Sequence, residues 1–204
     1  MRTRTEQRRA VKAPEERRQD LLDAAIEAFT RKGVHESTVE DVTRTAGVAK
    51  GTFYLYFDSK EQLLGSLKQR FVDELVARAG ELSERIGKDD WWALAETTVT
   101  SMIDFMLEHR SMIQIFAQEG HTPDSNRLFA ECQGKLVMMM AAGIQAGIEA
   151  SAFRVADPLM TAALLSHAID GTLQHSILYE GELDRIRLIA AANELMRKAL
   201  APPR

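Results

Sequence analysis

Residues 49–60 gather side chains whose chemistry suits contact with a polyanion rather than bond-making. Lys50 brings a cation able to reach a phosphate or a guanine edge. Gly51 lets a backbone approach a duplex closely, and Thr52 offers a hydroxyl to a base or phosphate and a methyl to thymine. Ala49, Tyr54 and Tyr56 complete the set that a helix starting here would present. Phe53 and Phe57 stand at i and i+4 on the opposite side and read as core.

Catalytic chemistry has little to work with. There is no Gly-rich phosphate loop, no His-Glu-x-x-His and no Gly-x-Ser-x-Gly sequence. Cys132 is the single cysteine, flanked by Glu131 and Gln133 with no neighbouring cation to lower its pKa, and reads as a buried structural thiol. Neither enzymatic activity nor a cofactor is expected. His167, Asp170 and Gln174 fall at i, i+3 and i+7 of one helix with His175 adjacent. They fit a polar pocket lining, a polar seam at a subunit interface, or, least well, a metal site, which needs three or four converging ligands. Trp92, Met102 and Met106 share a helix face with Val99, near Thr97, Thr98 and Thr100. That wall suits an apolar ligand pocket and a helix-packing seam equally. Eight of the nine methionines lie beyond residue 100, and methionine adapts its shape to irregular apolar partners.

The elements that must hold these residues are helical throughout, because apolar residues recur every three to four positions and turn signals are sparse. Residues 1–14 read as a basic arm ending at Pro14. A first helix runs from about Glu15 to Lys32, burying Leu22, Ile26 and Phe29, and Gly33 stops it. Thr38 and Asp41 form a capping box for a short second helix with Val39, Val42 and Ala46 inward. Ala46-Gly47-Val48 makes a tight turn into a third helix spanning about Lys50 to Phe57. Ser59 and Gln62 then cap a long helix to about Arg85, with Leu64, Leu67, Phe71 and Leu75 on one face. Beyond Gly87, helices are expected near 89–109, 111–118, 124–150, 157–180 and 183–200. Asp157-Pro158 opens the fourth of these and Gly181 ends it. Three short helices, the second and third joined by a Gly turn, are a helix-turn-helix signal.

The run Thr38-Val-Glu-Asp-Val-Thr-Arg-Thr-Ala-Gly-Val-Ala-Lys-Gly-Thr-Phe-Tyr-Leu-Tyr-Phe-Asp-Ser-Lys60 resembles the DNA-binding signature of the TetR family. The upstream Leu-Asp-Ala-Ala-Ile-Glu-Ala-Phe segment is similar to that family's first helix, so the resemblance covers about residues 17–64. It implies that Thr38, Lys50, Gly51, Thr52, Tyr54 and Tyr56 meet DNA and that Lys60, opening the fourth helix, meets a phosphate. A helix N-terminus also attracts phosphate on its own account. Ala49 stands where the family often places a Ser or Thr cap, so one hydroxyl contact is missing, and with it about 0.5–2 kcal/mol of capping.

The resemblance further implies an all-α chain of about nine helices, with a helix-turn-helix domain (15–60) and a ligand-binding and dimerisation domain (61–204). Its partners would be a near-palindromic double-stranded DNA operator, a second copy paired through the last two long helices, and a small apolar or amphipathic effector. Trp92, Met102, Met106, Phe116, Met139, His167, Asp170 and Gln174 are the candidate effector residues. Repression is the commoner role in that family. A helical small-molecule-binding protein that has lost its DNA affinity is the alternative.

Composition agrees with this picture. The 204 residues are 45% hydrophobic and 27% charged, ordinary for a globular protein. The net charge of −4 argues against nucleic acid only on average. The first 18 residues carry seven basic and three acidic side chains, and DNA responds to the field within about 8–10 Å. No apolar run spans a bilayer, no apolar signal segment begins the chain and no disulfide can form within it, so the expected compartment is the cytoplasm.

Overall fold

The computed structural model describes residues 12–86, 90–118, 123–180 and 184–201, and the expected arm before Lys12 and the stops at Gly87 and Gly181 lie outside them. The described residues form nine α-helices and no strand. They are α1 (Pro14–Lys32), α2 (Val39–Thr45), α3 (Lys50–Phe53), α4 (Lys60–Ile86), α5 (Trp91–Glu108), α6 (Arg110–Gln118), α7 (Pro123–Glu149), α8 (Pro158–His175) and α9 (Arg185–Leu200). The chain divides into two compact units at Leu63 and Leu64.

In the first unit α1 packs on α2 and α2 on α3. Pro14 is the first helical residue of α1 rather than the end of an arm, and a proline is tolerated there because that N–H has no partner in a helix. Leu21, Leu22, Ala25, Ala28 and Phe29 are buried, whereas Ile26, expected inward, is half-buried. Two turns of stripe centred one residue earlier face α2. Gly33 ends α1 with φ 84°. Val42 and Phe53 complete this core, while Val39 and Ala46 are half-buried rather than inward.

The third helix is shorter than its sequence predicts. It stops at Phe53 because the next hydrogen bonds tighten: Leu55 N donates to Thr52 O and Tyr56 N to Phe53 O. Phe57 still lands in the core, because its N–H bonds back to Phe53 O at 3.0 Å. Ser59 Oγ accepts from Gln62 N (3.2 Å) as expected, but the Gln62 side chain returns to Asp58 N rather than to Ser59.

In the second unit α7 and α8 make the most extensive pairing, and α5 packs on α6, α8 and α9. Leu67, Phe71 and Leu75 of α4 are buried as their spacing requires. Asp157 caps α8 by accepting from Met160 N at 2.9 Å. A feature that the sequence does not announce follows α8: Ser176–Glu180 wind as one π-helical turn. The wider turn brings the neighbouring Ser176 and Ile177 both inward against α6 and leaves Tyr179 exposed.

Candidate nucleic-acid interface and interior cavity

The first unit presents α3 on a rigid mount. Gly47 has φ 67°, the left-handed region, and this turn carries the chain from α2 into α3. Val48 N donates to Thr43 O (2.9 Å) and closes it. Below, the Phe53 and Phe57 rings pack at 5.6 Å, with the Arg18 guanidinium 5.3 Å over Phe57. Above, Ala49, Lys50, Gly51 and Tyr54 are exposed, and Thr52 and Tyr56 are half-buried. Ala49 caps α3 without a side-chain hydrogen bond, as its methyl dictates.

Two expected contact residues already have structural partners. Thr38 caps α2: its Oγ1 accepts from Asp41 N (3.2 Å) and donates to Asp41 Oδ2 (2.9 Å). Lys60 Nζ donates to Val34 O (2.8 Å) and Ser37 O (3.1 Å), tying the start of α4 to the loop before α2. Two of its three ammonium hydrogens are thereby used.

Sequence reasoning missed Glu40 and Leu55 here, and the ion pairs of Asp41. Asp41 is buried and accepts from Lys32 (2.8 Å), Arg44 (2.8 Å) and Thr38. The Lys32 bond and the Thr38 bonds hold its carboxyl far below the usual carboxylate range. Glu40 pairs with Lys50, which lowers the pKa of Glu40 and raises that of Lys50. Leu55 is 79% exposed beside Tyr54. Spacing alone shows neither the Glu40 pairing, ten residues distant, nor the outward turn of Leu55.

The second unit contains an apolar cavity of about 350 Å³. α4, α5, α7, α8 and α9 all contribute to its wall, and Phe153 enters from the α7–α8 connection. A cavity of this size and lining is of the kind that takes a small molecule. Of the eight effector candidates named from sequence, the structure brings only Met139 to this wall. Met102 joins Met139 on an adjoining cavity of about 30 Å³. Trp92 lies outside both, its ring 4.9 Å from Phe153 and under the Arg197 guanidinium, while its neighbour Trp91 forms the wall. Met106 is core, and Phe116 packs edge-on to Phe71 at 5.8 Å with the Lys68 ammonium over its ring.

The polar triple does not reach the cavity. Asp170 accepts from Gln133 (2.9 Å) and Gln174 (2.8 Å), joining α7 to α8, and His167 is exposed. Among the described residues no three His, Cys, Asp or Glu side chains are grouped as a metal requires. The Cys132 side chain lies outside the described residues.

Comparison with known proteins decides the family. Residues 21–67, from the middle of α1 through the start of α4, match the bacterial regulatory proteins of the tetR family. Those residues are a TetR-family domain. The HTH-type transcriptional repressor KstR2 of Rhodococcus jostii (strain RHA1) is 28% identical over 141 residues, 68% of each chain. The uncharacterized HTH-type regulator YvdT of Bacillus subtilis (strain 168) is 29% identical over 94 residues. That match spans 46% of this chain and 47% of YvdT, about half of the relative's length. The TetR-family fold extends beyond the helix-turn-helix. The transcriptional regulator FadR of Bacillus subtilis, solved in complex with stearoyl-CoA, superposes with a TM-score of 0.74 at 21% identity. The superposition covers 87% of this chain and 96% of FadR. The first unit is thus a TetR-family DNA-binding domain, and the relatives are transcriptional regulators.

Proposed function

We propose that the chain is a ligand-responsive transcriptional repressor that holds a near-palindromic operator as a homodimer in the cytoplasm and releases it when an apolar effector fills the cavity. The observation that carries this reading is the pairing, in one chain, of an exposed Lys50, Gly51 and Tyr54 face with an apolar cavity. α4 supplies Ala79 and Gly80 to the cavity wall and begins at Lys60, beside the helix-turn-helix in sequence. An effector touching α4 therefore acts on the helix that leads out of the DNA-binding unit. Release requires the effector to favour the conformer that does not bind DNA, since equal affinity for both shifts nothing.

A homodimer suits the surface of the last long helices. Leu164 of α8 is 66% exposed and Ile186 of α9 76%, with Leu159, Met160 and Leu195 also exposed. Apolar side chains in such numbers on two helices favour burial against another surface. Two-fold symmetry would set the recognition helices about 34–36 Å apart, one turn of DNA, or a multiple of it. Repression is supported by the KstR2 relative, and an effector with an apolar tail by the stearoyl-CoA complex of FadR.

The test is fluorescence anisotropy of a selected operator duplex with wild type, Lys50→Ala and Tyr54→Ala. Each variant is expected to weaken binding at least tenfold without altering the melting temperature by more than a degree or two. Unchanged operator affinity in both variants would remove α3 from the interface.

A further inference from the structure

Among the described residues the cavity wall carries no charge. Leu94, Val99, Ile144, Phe153, Leu165 and Ile169 represent its character, and the hydrogen-bonding side chains among its described residues are Thr98 and the Trp91 indole. The Thr98 hydroxyl already donates to Leu94 O at 2.7 Å. A carboxylate, phosphate or amine placed inside would lose its water and find no partner, at a cost no ligand contact there recovers. The buried part of any ligand is therefore hydrocarbon. Its size follows from volume. An apolar cavity of about 150 Å³ takes the six carbons of benzene, so about 350 Å³ takes on the order of 14 carbons.

The lining reaches the surface at α4 and at α7. Gly80 and Gly143 both line the cavity and both are exposed, and a Cβ built on either meets nothing within 4 Å. A polar head attached to the hydrocarbon can stay in water there. Met139, Met140 and Met196 give the wall an adjustable surface, which favours a flexible chain over a rigid polycycle.

We propose that the cavity takes the tail of a straight-chain amphiphile, to a depth of about 14 carbons, and leaves the head at the surface beside Gly80 and Gly143. This rests on the reading of the cavity as the effector site. It adds the ligand's class, a limit on chain length and indifference to the sign of the head group.

The full chain carries its own reporter. Its two tryptophans are Trp91, in the wall, and Trp92, whose ring lies 4.9 Å from that of Phe153, so their emission responds to a ligand against Phe153. The experiment titrates the protein, free of DNA, with alkyl carboxylates and alkyltrimethylammonium ions of 8 to 18 carbons below their micelle concentrations, and with pyrene as a rigid hydrocarbon. Affinity is expected to rise about fourfold per methylene and to level off near 14 carbons, with one slope for both head groups. Gly143→Leu, which adds a bulky side chain at a residue of the cavity wall, is expected to lose at least tenfold in tail affinity. Gly80→Leu is the second variant should the first not fold by circular dichroism.

Affinity independent of chain length, binding of only one head-group sign, preference for pyrene, or unchanged binding in folded Gly143→Leu and Gly80→Leu would each overturn the proposal. Operator release is read separately. Tail binding that leaves operator affinity unchanged upholds the tail site and overturns the effector reading. Release by a polar compound with no tail binding overturns the tail site and leaves the effector reading standing.

Discussion

Replacing Gly47 tests the mount of the recognition helix with few confounding effects. Its φ of 67° is unfavourable for any residue with a Cβ, yet a Cβ built there meets nothing within 4 Å. The whole effect of Gly47→Ala is thus conformational. The left-handed region costs an L-residue about 1–2 kcal/mol, and loss of glycine's freedom in the unfolded chain returns about 0.4–1 kcal/mol. The net loss is about 1 kcal/mol, a fall of about 2–4 °C in the melting temperature of a chain of this length. Gly47→Asn should lose less, since asparagine tolerates this region, and Gly47→Val should lose more, since β-branching makes it worse. Urea unfolding followed by circular dichroism gives the three values. If Ala and Val match Gly, the α2–α3 turn does not have this conformation, and the presentation of Lys50 and Tyr54 derived from it is wrong.

Three further outcomes follow from other parts of the structure. Ser151, at the end of α7, is a non-glycine residue with φ 61°, and Ser151→Gly should gain about 0.5–1 kcal/mol in the same urea assay. Asp41 is held below its ordinary value of 3.8, mainly by Lys32, so its stabilising effect is complete above that pH and disappears as pH falls through the lower folded value. Asp41→Asn should therefore lower stability at neutral pH and flatten the acid limb, as measured by melting from pH 7 to pH 2. Lys50→Ala should reduce the slope of log affinity against log salt by about 1, whereas Glu40→Gln, which frees Lys50, should strengthen operator binding a few-fold.

What was legible in the sequence is what neighbouring residues decide. Thr38 with Asp41, Gly47, and Asp157 before Pro158 each specify a cap or turn through bonds spanning three or four residues, and each is found as read. Phe53 and Phe57 were correctly placed inward, but their i, i+4 spacing is met both by an α-helix and by the tighter turn that follows Phe53. The cavity was much less legible. Trp91 and Trp92 are adjacent and chemically identical, and only the rotation of α5 decides that the first lines the cavity while the second lies outside it, edge-on to Phe153. Phe153 itself comes from a connection with no periodicity to read. Asp170 and Gln174 fit a pocket lining or an interface seam by spacing, since the Gln133 that donates to Asp170 lies 37 residues away. The π turn at Ser176–Glu180 has no spacing signature that separates it from the end of α8.

The central claim is that this chain reads DNA as a symmetric pair. The most direct measurement is selection of bound fragments from random duplex DNA by the purified protein, followed by affinity of the enriched sequence at 50 and 200 mM salt. A symmetric pair should select a near-palindromic consensus with half-sites about one or more helical turns apart, and lose about 10³–10⁵-fold in affinity across that salt range if roughly 6–10 phosphates are engaged. No enrichment, or binding that does not respond to salt, would contradict it.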